Sequence, residues 1–358
     1  MKTRREFLSI GGALAAATLL PTEMWAQASP TSVAAPGNAV DPMSLVNPEL
    51  RPAIQNMLKM MPQGGMTYSD AFIKQARSMK MPEVPIADSP AVTQQMIPGP
   101  PGGPQVLVYV AGNVSGASKP AVLHIHGGGY ILGSASASRK EIQDLSTNHD
   151  CVAVTVEYRL APETHFPGSL EDNYAALRWM NSNAKELGID VSRIAIKGES
   201  AGGGHAAALA IAARDRGEFP ICLQVLIYPM LDDRTGSTHQ LPPYFGHFGW
   251  TPDANRYGWT SLLGVPAGSA TVPPNSVPAR VANLSGLPPV FIGVGSIDLF
   301  ALEDVEYAHR LMESGIPVEL NVVPGAFHGF DGVVPDASIS RQFTKAWNEA
   351  VRRAFEKS

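Results

Sequence analysis

One serine of the chain sits between glycines, in Gly198-Glu199-Ser200-Ala201-Gly202, with a strand-like run before it (193–198) and a helix-like run after it (201–215). Flanking glycines permit a sharp strand-to-helix turn that lifts the Ser200 hydroxyl above a sheet. The helix start behind it adds unpaired N–H groups and a positive dipole end. A hydroxyl there performs acyl transfer only if a base takes its proton and a carboxylate orients the base. One known chain order of such a relay is serine, acid, histidine. Asp298 follows the strand-like run 289–295 and His328 follows 318–323. Loops after strand ends are where sheets of this kind place reactive groups.

Other residues compete for both roles. Of the nine histidines, His309 lies in a helical pattern and reads as solvated, and His205 reads as core. His149 and His165 read as loop residues, while His239 and His247 fall in an insertion within reach of a substrate. Asp232 and Asp233 also follow a strand. Glu303 and Asp304 open a helix, where capping is the simpler role. Order and position favour Asp298 and His328.

A second stretch, "LHIHGGGYILG" (123–133), admits two chemistries. Residues i and i+2 of a strand share a face, so His124 and His126 offer two imidazoles to one metal. A metal site wants three or four ligands, and the chain has neither H-E-x-x-H nor H-x-x-E-H. Its two cysteines, Cys151 and Cys222, lack C-x-x-C spacing and read as buried free thiols. The glycines fit the other chemistry, N–H donors aimed where negative charge develops. Ala201, just after the nucleophile, supplies one such donor, and an HGGG loop after an early strand supplies the rest.

These groups need a scaffold. Strand-like runs at 106–110, 121–126, 152–158, 193–198, 223–229, 289–295 and 318–323 alternate with helical runs at 168–187, 201–215 and 302–315. A final amphipathic helix closes the chain. That alternation predicts an α/β fold with a mostly parallel sheet covered by helices on both faces. Residues 231–283, rich in proline and aromatics, break the rhythm and read as an insertion. Residues 50–81 have helical spacing, with Ile54, Met57, Met60 and Met61, then Phe72, Ile73, Ala76 and Met79. With 44% hydrophobic residues and a net charge of −5, nothing suggests a nucleic-acid partner.

The first residues read as a targeting signal. Thr3-Arg4-Arg5-Glu6-Phe7-Leu8 matches a twin-arginine export pattern at every position. An apolar run to about Leu20, too short for a membrane span, precedes the small-x-small site Ala26-Gln27-Ala28. The division expected is a signal peptide (1–28), an N-terminal cap segment (29–84), a core (85–230 and 284–358) and a cap insertion (231–283). A processed chain of this kind has no stable membrane anchor and is periplasmic or secreted.

Six motifs together, HGGGY (126–130), YRLAPE (158–163), GESAGGG (198–204), YPMLD (228–232), GSIDLF (295–300) and HGF (328–330), resemble the bacterial hormone-sensitive-lipase-like esterases of the α/β-hydrolase superfamily. The resemblance runs from about residue 85 to the C-terminus. It implies an α/β-hydrolase fold with a helical cap and a triad of Ser200, Asp298 and His328. It also implies oxyanion donors on Gly127, Gly128 and Ala201, a small ester substrate, and neither metal nor cofactor. A homodimer is a common state in such a family, and no residue here locates an interface. The family's usual elbow has Asp or Thr where this chain has Glu199. Arg159 and Glu163 read as a structural ion-pair cluster. The activity expected is hydrolysis of short- to medium-chain carboxylic esters. An amidase or peptidase on the same relay, a non-catalytic binding protein and, last, a metallohydrolase on His124 and His126 remain the alternatives.

Overall fold

The computed structural model describes residues 40–60, 66–79 and 84–356. The expected signal peptide, the lead-in to residue 39 and Met61 lie outside them. Eight strands form one sheet: β1 (Val92–Ile97), β2 (Val106–Ala111), β3 (Lys119–Ile125), β4 (Val152–Glu157), β5 (Ile189–Glu199), β6 (Leu223–Ile227), β7 (Val290–Gly295) and β8 (Val318–Val323). Their order is β1-β2-β4-β3-β5-β6-β7-β8. The first two pairings, β1 with β2 and β2 with β4, are antiparallel. All later pairings are parallel. The parallel strands β6 and β7 are buried throughout, as a sheet covered on both faces requires.

The helices are α1 (Pro42–Leu45), α2 (Arg51–Met60), α3 (Asp70–Ser78), α4 (Arg139–His149), α5 (Gly168–Ser182), α6 (Ala184–Leu187), α7 (Ala201–Arg216), α8 (Pro252–Leu263), α9 (Ala301–Glu313), α10 (Phe330–Val333) and α11 (Ser338–Phe355). Strand side chains alternate between faces, and the core divides accordingly. Leu123, Val154 and Ile196 face a cluster built by α5, α7 and α9. Val122, Ala153 and Ala195 face the opposite cluster, built by α4 and α11.

Two elements differ from the pattern seen in the sequence. Strand β1 carries Gln94 and Gln95 and is exposed over most of its length, so it has no alternation to read. Helix α4 buries only Ile142 and Leu145 as aliphatic anchors, and its last residue is His149, expected in a loop. The His149 ring bonds Asn348 of α11 at 2.7 Å.

The N-terminal segment also divides. Val46, Leu50 and Ile54 join the α4/α11 cluster on the sheet flank. There Asn47 N–H donates to the Gly325 carbonyl at 2.9 Å. Phe72, Ile73 and Ala76 of α3 instead pack with Tyr130, Trp250 and Trp259 above the sheet ends. Among the described residues of the N-terminal segment, α3 and the Met66–Tyr68 stretch before it form a cap together with α8 of the insertion. Arg77 pins α3 in place: its Nε donates to the Ile131 carbonyl at 2.8 Å, and its Nη1 reaches both Glu163 oxygens. Ile54→Ala is expected to lower the unfolding free energy by about 2–4 kcal/mol, the usual cost of emptying a buried aliphatic site. A denaturant titration showing no loss would mean that α2 does not dock on the flank.

Candidate active site

The nucleophile turn joins the end of β5 to the start of α7. Ser200 adopts φ 56 and ψ −121, a strained geometry for a residue with a side chain. It is held by its own backbone, since Ser200 N–H donates to the Ile227 carbonyl at 2.9 Å and its carbonyl accepts from Met230 N–H at 2.9 Å. The turn is tight enough that a Cβ on Gly202 would stand 2.0 Å from the Ile125 carbonyl oxygen, and one on Gly198 2.2 Å from that of Gly202.

Asp298 and His328 meet Ser200 from the ends of β7 and β8. His328 Nε2 lies 2.9 Å from Ser200 Oγ, and His328 Nδ1 lies 2.9 Å from Asp298 Oδ2. With Nδ1–H donating to the carboxylate, Nε2 is the free acceptor for the serine proton. Asp298 is fully buried, and its other oxygen accepts from Phe300 N–H at 3.0 Å. Both of its oxygens are thus engaged, and the imidazole has one orientation to follow. Rings of Tyr228 and Phe300 stand edge-on to the imidazole at 4.8 and 5.2 Å.

Gly127 and Gly128 lie beside the serine. A Cβ on Gly127 would be 2.9 Å from the Glu199 carbonyl oxygen and 3.4 Å from Ser200 Cβ. Gly128 has φ +125, and a Cβ there would strike the Leu132 carbonyl. Ala201 is the first residue of α7, where the helix leaves N–H groups without internal partners. The loop is propped from below: Tyr158 hydroxyl donates to the His126 carbonyl at 2.8 Å, and the two rings stack at 4.2 Å. The roof comes from the insertion, where Gly249 abuts His328 and the Trp250 ring covers Gly129.

The two histidines that raised the metal reading do not converge. Strand β3 ends at Ile125, so the alternation that would align them stops between them. His124 bonds Thr155 Oγ1 at 3.0 Å and Glu199 Oε2 at 2.9 Å. The His126 ring turns towards Tyr158 and bonds the Gly127 carbonyl at 2.8 Å. Burial pushes His126 down to about 4 and His205 to about 3, so neither imidazole is a cation near neutral pH.

The rejected acids have other occupations. Glu303 does not cap its own helix; it is buried and accepts from Leu231 and Asp232 N–H groups. Burial, then the charge of Asp232, holds its carboxyl well above the usual range. Asp304 is raised too, by burial and then by Glu303 and Asp298. Both shifts run towards the neutral form. Asp233 pairs with Arg280 and Asp232 with Arg234. Arg159 and Glu163 are ion-paired, but not to each other: Arg159 binds Asp172 and Glu163 binds Arg77. Their spacing in YRLAPE concealed partners that come from other helices. His309 is exposed beside Glu306 and Glu313. His247 lines a cleft within the insertion, with Phe245 and Arg256, that contains none of the triad residues. Cys151 and Cys222 are free, the first buried and the second partly so. Burial raises their thiols to about 12 and about 11.

Asp331 stands behind this assembly. Its Oδ1 accepts from the Tyr228 hydroxyl at 3.1 Å, and burial pushes its carboxyl up to about 6. A raised carboxyl contributes stability in full below its unfolded value near 3.8, and that contribution is lost as pH rises through about 6. The stability decline from pH 5 to pH 7 should therefore shrink in Asp331→Asn, read from denaturant midpoints at the two pH values.

Residues 122–332 match the profile of a family described as alpha/beta hydrolase fold. Esterase LipI of Mycobacterium tuberculosis is 32% identical over 269 residues, covering 73% of this chain and 82% of that protein. Carboxylesterase NlhH of the same species is 37% identical over 227 residues, covering 61% and 70%. Among solved structures, one described as bacterial heroin esterase superposes with a TM-score of 0.76 at 32% identity, over 88% of this chain and 99% of that one. Esterase LipW from Mycobacterium marinum superposes at 0.72 and 29% identity, over 88% and 98%. With its sheet order, its serine turn and these relatives, the chain belongs to the hormone-sensitive-lipase-like branch of the α/β-hydrolase family.

Proposed function

We propose that the protein is a serine carboxylesterase that hydrolyses short- to medium-chain esters through an acyl-enzyme. The observation that carries this is the continuous relay Ser200–His328–Asp298, with 2.9 Å at each link. Ser200 Oγ attacks the ester carbonyl carbon as His328 Nε2 accepts its proton. Asp298 holds the imidazole and stabilises its cation. The carbonyl oxygen becomes an oxyanion facing the N–H groups of Gly127, Gly128 and Ala201, which act most strongly on the charge present in the tetrahedral state. Collapse breaks the ester C–O bond, and His328 returns the proton to the leaving alcohol. Water then repeats the sequence and releases the acid. None of these steps calls for a metal or an organic cofactor.

An aromatic roof favours an apolar substrate. Tyr68 stands edge-on to Phe72 at 5.3 Å and to Trp250 at 5.8 Å, next to the glycine loop. Named esterases among the relatives support the ester reading. Ser200→Ala should reduce turnover of a p-nitrophenyl butyrate probe at least about 10³-fold with an unchanged circular dichroism spectrum. Wild-type activity in that variant would remove the serine mechanism. Faster cleavage of the matched anilide than of the ester would assign the site to amide hydrolysis instead.

The proposed site of action is the periplasm, reached by the twin-arginine route. Support for it is the run Thr3–Leu8 and the small-residue site at 26–28. No helix among the described residues is long and apolar enough to cross a membrane. Replacing Arg4 and Arg5 together by lysine should strand the chain in the cytoplasm of a bacterial host, with the loss of activity in the periplasmic fraction as the readout.

A further inference from the structure

Two features of the sequence have no part in the ester mechanism: His124, two residues ahead of the HGGG loop, and the glutamate ahead of the nucleophile. The structure joins them. His124 and Lys197 are register partners on the adjacent strands β3 and β5. Alternation turns His124, Lys197 and Glu199 to the same face of the sheet, the one covered by α4 and α11. Glu199 Oε2 bonds His124 Nε2 at 2.9 Å, and its Oε1 pairs with Lys197 Nζ. The same ammonium donates to Glu141 of α4 at 2.6 Å and lies 4.7 Å from the centre of the Trp347 ring of α11.

His124, Glu141 and Glu199 stand close enough to surround a cation. Lys197, itself only 2% exposed, already donates to both carboxylates, so the cluster carries its own cation. Burial alone would raise the Glu199 carboxyl; Lys197 and then His124 overcome it and hold the group well below the usual range. The glutamate is therefore an ionised, counter-charged anchor and not a proton carrier.

The position of the anchor is what matters. His124 lies three residues before Gly127, and Glu199 directly precedes Ser200. One side-chain bond thus crosses from the strand that delivers the proposed oxyanion donors to the strand that delivers the nucleophile. The two backbones touch at that point, since Gly127 abuts the Glu199 carbonyl and Ser200 Cβ. We infer that Glu199 is a positioning residue, held by Lys197 and bonded to His124, that sets the spacing between Ser200 Oγ and the N–H groups of Gly127 and Gly128. This rests on reading those glycines as oxyanion donors.

A spacing error of this kind weakens the tetrahedral state more than the substrate complex. The experiment is a double-mutant cycle of Glu199→Gln and His124→Leu. It measures kcat and KM for p-nitrophenyl butyrate and the inhibition constant of an aryl trifluoromethyl ketone, whose adduct with serine carries the oxyanion. Organophosphate titration counts the folded sites. Each single variant should lose about tenfold in kcat, keep KM within about twofold, and lose ketone affinity by the same factor as kcat. The double variant should lose no more than the worse single, because one tie is cut in all three. Equal kcat and ketone affinity in the variants, with only thermal stability reduced, would overturn the inference, as would losses that multiply in the double variant. If His124→Leu does not fold, parallel loss of kcat and ketone affinity in Glu199→Gln still supports it, and loss of stability alone still overturns it. Failure of the ketone to inhibit the wild type would instead overturn the oxyanion reading beneath it.

Discussion

The site depends on one backbone conformation, that of Ser200 at φ 56 and ψ −121. An L-residue pays for this geometry, typically on the order of 1–3 kcal/mol. The surroundings enforce it through hydrogen bonds to Ile227 and Met230 and through glycines on either side. A relaxed serine would lie along the strand or within the helix, and its hydroxyl would no longer rise to His328. Sheet order then places the partners: β5 brings the serine, β6 holds its amide, and β7 and β8 bring the acid and the base from successive strand ends. The glycine loop arrives from β3, the neighbour of β5 on the other side. Five adjacent parallel strands thus deliver the whole assembly at one edge of the sheet.

The second constraint is charge. Asp298 is fully buried, with other acidic groups in its surroundings. Glu303 and Asp304, a few residues further along the chain, are buried deeply enough to be held towards neutrality. Behind the serine, the carboxylate of Glu199 is paired with Lys197, which also holds Glu141. His126 and His205, under the glycine loop, are neutral for the same reason of burial. Burial makes an isolated charge costly, and here that cost shifts Glu303, Asp304, His126 and His205 towards their neutral forms.

Much of this was legible in the chain. The turn GESAG, the order of Asp298 and His328 along the sequence, and the parallel strands all follow from local spacing and hydrophobic runs. Features decided by distant contacts were not legible. The pairing of Arg159 with Asp172, and of Glu163 with Arg77, depends on where α5 and α3 pack. The two fates of the Met-rich segment depend on α11 for one half and on α8 for the other. Strand β1 escaped notice because an edge strand needs no apolar face. The H-x-H spacing, ranked last as a metal site, brings no shared face because a strand's alternation holds only while the strand continues, and β3 stops at Ile125. That same break sends His124 to Glu199, a partner 75 residues away.

The docking of the N-terminal flank has a bearing on how the chain folds. Asn47 binds Gly325, three residues before His328, and Glu49 receives hydrogen bonds from Ser338, 289 residues further along. Among the described residues, some of the earliest in the chain therefore find their seat against some of the latest. Contacts of such separation are costly in loop entropy and form late. During synthesis the N-terminal flank emerges first, and its partners around Gly325 and Ser338 follow only after the serine turn. Ser200 precedes His328 by 128 residues, so a chain still short of residue 328 carries the hydroxyl without the group that would make it reactive.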